Sequence, residues 1–150
     1  MLNLAHAITR RRWSALALLL ALAALLARPA AAQHHEPGAG APVFEQTQGD
    51  YRIVVYLEPR PLLVGEADMT IEVTDAGGQP RRISALNVTI RSQEIGLDKL
   101  YLAPRDEASG PNIHRSHRLY FSAVGAWDVR FQLLDGAKQV DYKMVVDVAP

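Results

Sequence analysis

The sequence predicts an all-β domain: an immunoglobulin-like antiparallel β-sandwich of about seven strands, preceded by a signal peptide. Three observations predict it. After Asp50 apolar residues recur with period two, as where Ala67, Met69, Ile71 and Val73 alternate with Asp68, Thr70, Glu72 and Thr74. That is the pattern of strands with one buried and one wet face. Turn-forming clusters punctuate the alternation, among them Glu58-Pro59-Arg60-Pro61, Asp75-Ala76-Gly77-Gly78, Ser109-Gly110-Pro111 and Asp135-Gly136. No amphipathic 3.6-residue periodicity follows the leader, so two packed sheets are the expected architecture, with a small closed barrel as the alternative.

Residues 1–32 read as the signal peptide. Arg10, Arg11 and Arg12 precede an apolar run from Ala15 to Ala27, and Ala30 and Ala32 occupy the −3 and −1 positions of a peptidase cut. The run falls short of the about 20 apolar residues that a membrane span needs. The mature chain then starts at Gln33, in the periplasm or secreted. An uncleaved anchor with its positive charge held inside is the rival reading. Thr9-Arg10-Arg11-Arg12-Trp13 resembles a twin-arginine signal, although a basic leader explains the arginines equally well. No cysteine lies near the cut, which excludes lipid attachment there.

Composition narrows the function classes. The leader holds four arginines and no acid, so 16 Lys+Arg fall to 12 against 16 Asp+Glu and the mature chain carries about −4. A phosphate backbone needs a basic surface, so the charge argues against nucleic acid as a partner. With no cysteine in the chain, stability comes from packing alone, and thiol nucleophiles, cysteine zinc sites and iron–sulfur ligation are ruled out. Residues 33–50 contain Pro37, Gly38, Gly40 and Pro42 with little apolar periodicity, and read as a flexible tether. Residues 51–150 are the sandwich domain.

Its strands follow in order. Tyr51 to Leu57 is apolar enough to be buried on both sides or to lie at an edge; Ala67 to Asp75, Leu86 to Ile90, Trp127 to Leu133 and Val140 to Val148 alternate cleanly. Leu97 to Leu102 and Ile113 to Ser122 supply two more, and Asp135-Gly136-Ala137 joins the last pair as a hairpin.

Laid out this way, the chain resembles the YtkA-like family and the related FixH-like exported proteins. The resemblance rests on Pro61 to Gly65 leading into the strand at Met69, the Asp75-Ala76-Gly77-Gly78 turn, Tyr120-Phe121, and Gly125-Ala126-Trp127-Asp128-Val129. It implies an immunoglobulin-like sandwich outside the cytoplasm, associated with copper handling or respiratory oxidase assembly. Many members of that family carry methionine and histidine after the third strand. Here the segment reads Ser92-Gln93-Glu94-Ile95-Gly96-Leu97 and offers neither.

Metal chemistry therefore rests on the histidines. Cleavage after Ala32 gives Gln33-His34-His35 as the amino end, where an amine, two peptide nitrogens and the third-position imidazole suit square-planar Cu(II). His34 and His35 are the candidate copper ligands. A one-residue shift of the cut, or cyclisation of Gln33, removes that arrangement. His114 and His117 form the other pair. On a regular strand their spacing sends them to opposite faces, His117 inward with Leu119 and Phe121 and His114 outward with Ser116 and Tyr120. Met69, Met144 and Trp127 lie on inward parities and read as core.

No nucleophile elbow, phosphate-cradling loop or His-Glu-x-x-His helix is present, and no catalytic residue is nominated. Three function classes remain. They are a non-catalytic copper accessory protein, an interaction module docking on a membrane-associated protein complex through Leu97 to Asn112, and an enzyme with an unrecognised site.

Overall fold

The computed structural model describes residues 40–150. They form eight strands: β1 (Phe44–Gln48), β2 (Tyr51–Glu58), β3 (Gly65–Asp75), β4 (Ala85–Ser92), β5 (Asp98–Leu102), β6 (Ile113–Phe121), β7 (Gly125–Asp135) and β8 (Lys138–Val148). Two four-stranded antiparallel sheets result, one in the order β1-β2-β3-β6 and the other β5-β4-β7-β8. The neighbours β2-β3-β6 and β4-β7-β8 reproduce the two halves of an immunoglobulin sandwich. The sheets do not merge into a closed barrel.

Alternation puts the core between them. Ile53, Val55, Met69, Ile71 and Val73 from one sheet meet Val88, Ile90, Val129, Phe131 and Leu133 from the other, all essentially without solvent exposure. Trp127 is fully buried; its ring stands edge-on to Phe121 at 5.3 Å and its Nε1–H donates to the Ala123 carbonyl. Such edge-to-face pairs add about 0.5–1.5 kcal/mol beyond the area they bury. Met69 and Met144 are core residues, as their parity requires.

One strand lies where the sequence suggested tether. Phe44–Gln48 pairs with β2 from Phe44↔Val55 to Gln48↔Tyr51, so ordered structure begins ahead of residue 51 and the strands number eight, not seven. Only Phe44 turns inward, stacking on Phe131 with ring centroids 6.2 Å apart; the other four residues face water. Gly49-Asp50 closes the hairpin in two residues, with Gly49 at φ 58° in the first turn position, where glycine is favoured. β2 is thereby an interior strand, covered on both edges.

Candidate functional site

A broad concave surface grows out of an irregularity in β6. β3 and β6 pair in step from Gly65↔Phe121 to Ala67↔Leu119, and the next pair is Met69↔Ser116, so His117 and Arg118 together oppose Asp68. That is a β-bulge, and Arg118 adopts the left-handed φ of 59° that admits the extra residue. The Asp68 carboxylate holds it: Oδ1 accepts from the Arg118 backbone N–H at 3.1 Å and lies 3.2 Å from His117 Nδ1.

The bulge resets which way side chains point. Leu119 and Phe121 are inward, and so are Ser116 and His114, while His117 is exposed on the outer face. This reverses the expectation for both histidines, because strict alternation fails wherever an extra residue enters a ladder.

His117 and Asp68 share an open cleft of about 810 Å³ with Glu58, Glu66, Arg60 and Arg118. Glu58 is the cross-strand partner of Asp68, and Glu66 lies two residues from it along β3. Three carboxylates, one imidazole and two guanidinium groups therefore line one concavity. Nitrogen and oxygen donors are both present in it. Among the described residues, however, no three His, Cys, Asp or Glu side chains are arranged to hold a metal ion. His34 and His35 lie outside the described residues.

His114 is the opposite case. It is 2% exposed, and its Nδ1 lies 3.0 Å from the Ala103 carbonyl, which only accepts, so Nδ1 carries the proton. Nε2 is buried without a partner. Burial drives the imidazole pKa below its ordinary value, partly countered by the Ala103 hydrogen bond, and the nearby Arg105 guanidinium lowers it further. His114 is thus a neutral core residue beneath the loop after β5, bordering a small cavity of about 220 Å³.

One further feature escaped sequence reasoning. Asp135 accepts from the Tyr51 hydroxyl at 2.7 Å and from Arg81 at 3.2 Å, while the Arg81 guanidinium sits 4.7 Å from the Tyr51 ring centroid. The hydrogen bond from Tyr51 and then that from Arg81 hold the Asp135 carboxyl below its ordinary pKa. On β5, Leu100 and Leu102 are 67% and 70% exposed on the outer face of their sheet, opposite Thr89 and Asn87. β5 is an edge strand, and Leu100 and Leu102 fall in the stretch expected as an interaction surface.

No family model matches the chain, and a search of curated proteins finds no match either. Solved structures match its shape. A copper-bound FetP variant from uropathogenic Escherichia coli strain F11 superposes with a TM-score of 0.57 at 11% identity, over 73% of this chain and 97% of that one. This chain is similar in fold to FetP. A DUF4426 family protein of Pseudomonas aeruginosa gives 0.53 at 13% identity, over 71% and 97%. Copper-reconstituted P19 from Campylobacter jejuni gives 0.50 at 10% identity, over 73% and 98%. At such identities the likeness is one of fold. The sandwich implied by the resemblance to YtkA-like and FixH-like proteins is present, with β1 added at one edge.

Proposed function

We propose that the protein is a non-catalytic accessory protein, exported to the periplasm or secreted, that handles copper with His34 and His35 as ligands. The observation that supports this reading is that FetP and P19 hold copper on the same two-sheet fold. The donor chemistry agrees: Gln33-His34-His35, freed at its amino end, offers four nitrogens in the tetragonal arrangement that Cu(II) prefers. The YtkA-like and FixH-like resemblance, with its association with copper handling and oxidase assembly, points the same way. The test is a Cu(II) titration of processed protein, with the amino terminus confirmed by mass spectrometry, beside a His35→Ala variant. Tight binding that the variant loses supports the reading. Binding no stronger than that of an unrelated control peptide ends it.

A second reading, an interaction module for a membrane-associated complex, draws on Leu100 and Leu102. Large apolar side chains so exposed on an edge strand are a recognised docking feature. A photo-crosslinker placed at position 100 should capture a membrane protein in intact cells, and the additional change Leu102→Ser should abolish the adduct. A crosslinker that captures nothing argues against docking through β5.

A further inference from the structure

The two ends of the sandwich differ in what they show to solvent. The β2–β3, β4–β5 and β6–β7 connections and the end of β8 share one end, where Phe121 packs on Trp127 and Leu63 bridges to Ala149. Gln93 N–H donates to the Ala126 carbonyl there, so the second and third of these loops are neighbours. All three expose large apolar side chains: Leu63 and Val64, Ile95 and Leu97, and Val124. The β1–β2, β3–β4, β5–β6 and β7–β8 connections close the other end, and among the described residues they expose none. Single hydrophobic residues scattered over a surface are ordinary, but their gathering on three adjoining loops marks a contact surface.

From this asymmetry we infer that the end of the sandwich carrying Leu63, Val64, Ile95, Leu97 and Val124 seats on the face of a lipid bilayer without crossing it. The inference goes beyond the copper reading and does not depend on it. The protruding side chains are all aliphatic, whereas protein interfaces concentrate their energy in tryptophan, tyrosine and arginine and make little use of leucine and valine. The loops also suit surroundings poor in water, where an unpaired backbone group is costly. Val64 N–H donates to the Ala149 carbonyl at 3.2 Å, Gly96 N–H to the Ser92 carbonyl at 3.0 Å, Ser92 N–H to the Leu97 carbonyl at 3.3 Å and Ile95 N–H to the Ser92 hydroxyl at 3.3 Å. The polypeptide enters the domain at this end as well. The Ala41 carbonyl accepts from Arg60 in the β2–β3 connection, so the leader read from residues 1–32 is joined to the domain here.

Charge at this end neither drives the contact nor blocks it. Arg91 lies 3.5 Å from Asp98, Arg60 is turned to Ala41, and Glu94 rests against Gly125, where an added Cβ would stand 2.7 Å from Glu94 Oε1. With about −4 on the mature chain, anionic headgroups offer no net attraction. Binding comes from burial of apolar area at the boundary between headgroups and acyl chains, and is weak and reversible.

The test uses the processed chain, which lacks the apolar leader, and vesicles of pure phosphatidylcholine. The protein should co-sediment with them, to the same extent at 0.1 and about 0.5 M salt, since screening acts on charge alone. Replacing Ile95 and Leu97 together by serine should lower the partition coefficient about tenfold or more, and Val124→Ser should lower it less. Leu102→Ser, at the far end of β5, should leave it unchanged. A nitroxide-labelled lipid should broaden the amide resonances of Ile95, Leu97 and Val124 and spare Gly136 in the β7–β8 turn at the opposite end. Urea unfolding midpoints within error of wild type show that the exposed substitutions leave the fold intact. No partition of the wild type, or partition confined to anionic vesicles and abolished by salt, overturns the proposal. Partition that Leu102→Ser abolishes and the double variant keeps moves the contact to β5 and overturns it too. Binding to stripped native membranes without binding to pure lipid overturns lipid as the occupant in favour of a membrane protein.

Discussion

Acidification should weaken this fold through His114 before it touches the carboxylates. The ring is 2% exposed, donates from Nδ1 to Ala103, and has no acceptor at Nε2, the atom that a second proton would occupy. Burial and Arg105 therefore keep its folded pKa below 6.5. Above about pH 6.5 both folded and unfolded chains carry a neutral imidazole, and His114 adds no pH dependence. Below it the unfolded chain takes up a proton that the folded chain refuses, and stability falls with a limiting slope of about 1.4 kcal/mol per pH unit until the folded pKa is reached. Between pH 6.5 and 5.5 the loss is then at most about 1.4 kcal/mol. Urea unfolding followed by the fluorescence of Trp127 between pH 5 and 8, on wild type and His114→Leu, isolates the term. The variant starts from lower stability, because Ala103 loses its donor, but its curve should be flatter over this interval. Parallel curves, or a wild type that gains stability on acidification relative to the variant, would refute the account of His114 as a buried neutral base.

Other expectations concern packing and polar contacts. Trp127→Ala should cost about 3–5 kcal/mol in urea unfolding, since it empties a fully buried site and strips Phe121 of its partner; a loss under about 1 kcal/mol would contradict the packing described. Gly136→Val places a β-branched residue at φ 61° in the β7–β8 hairpin turn and should cost about 1–2 kcal/mol, read as a lowered unfolding midpoint. Tyr51→Phe removes the shorter of the two hydrogen bonds to Asp135, and should shrink the stability that the wild type holds above about pH 4 and loses as pH falls through the depressed pKa of Asp135. Acid titrations of the two proteins that coincide would remove that assignment.

Most of the sandwich was legible because its strands are half-buried, and a half-buried strand writes its orientation into the sequence. β7 and β8 alternate without error, β3 departs from the pattern only in that Thr70 and Thr74 on its outer parity are buried too, and Asp135-Gly136 marks the β7–β8 hairpin. β1 was not legible from hydrophobicity, since Phe44 is its only inward residue and the rest of Phe44–Gln48 is polar. Gly49-Asp50, immediately before a strongly apolar strand, was the available signal. The histidine faces were misread for a different reason. His114 and Ser116 are polar, so nothing around them disclosed that parity changes before Leu119, and the residue that takes the left-handed conformation is an arginine rather than a glycine. Asp68 was invisible as a site residue because its role depends on His117 and Arg118, which stand 49 and 50 positions away. Nearest-neighbour spacing carries no information across such a distance.

The stretch from Arg60 to Val64 ties down both flanks of the domain. Arg60 meets Ala41, while Leu62 accepts from the Ala149 amide and Val64 donates to the Ala149 carbonyl. Anything appended after Pro150 is therefore delivered to the same pole of the molecule as the histidine cleft. A carboxy-terminal oligohistidine purification handle would bring foreign imidazoles to the pole that carries His117. Quantitative work on copper calls for a handle that is cut away, or none.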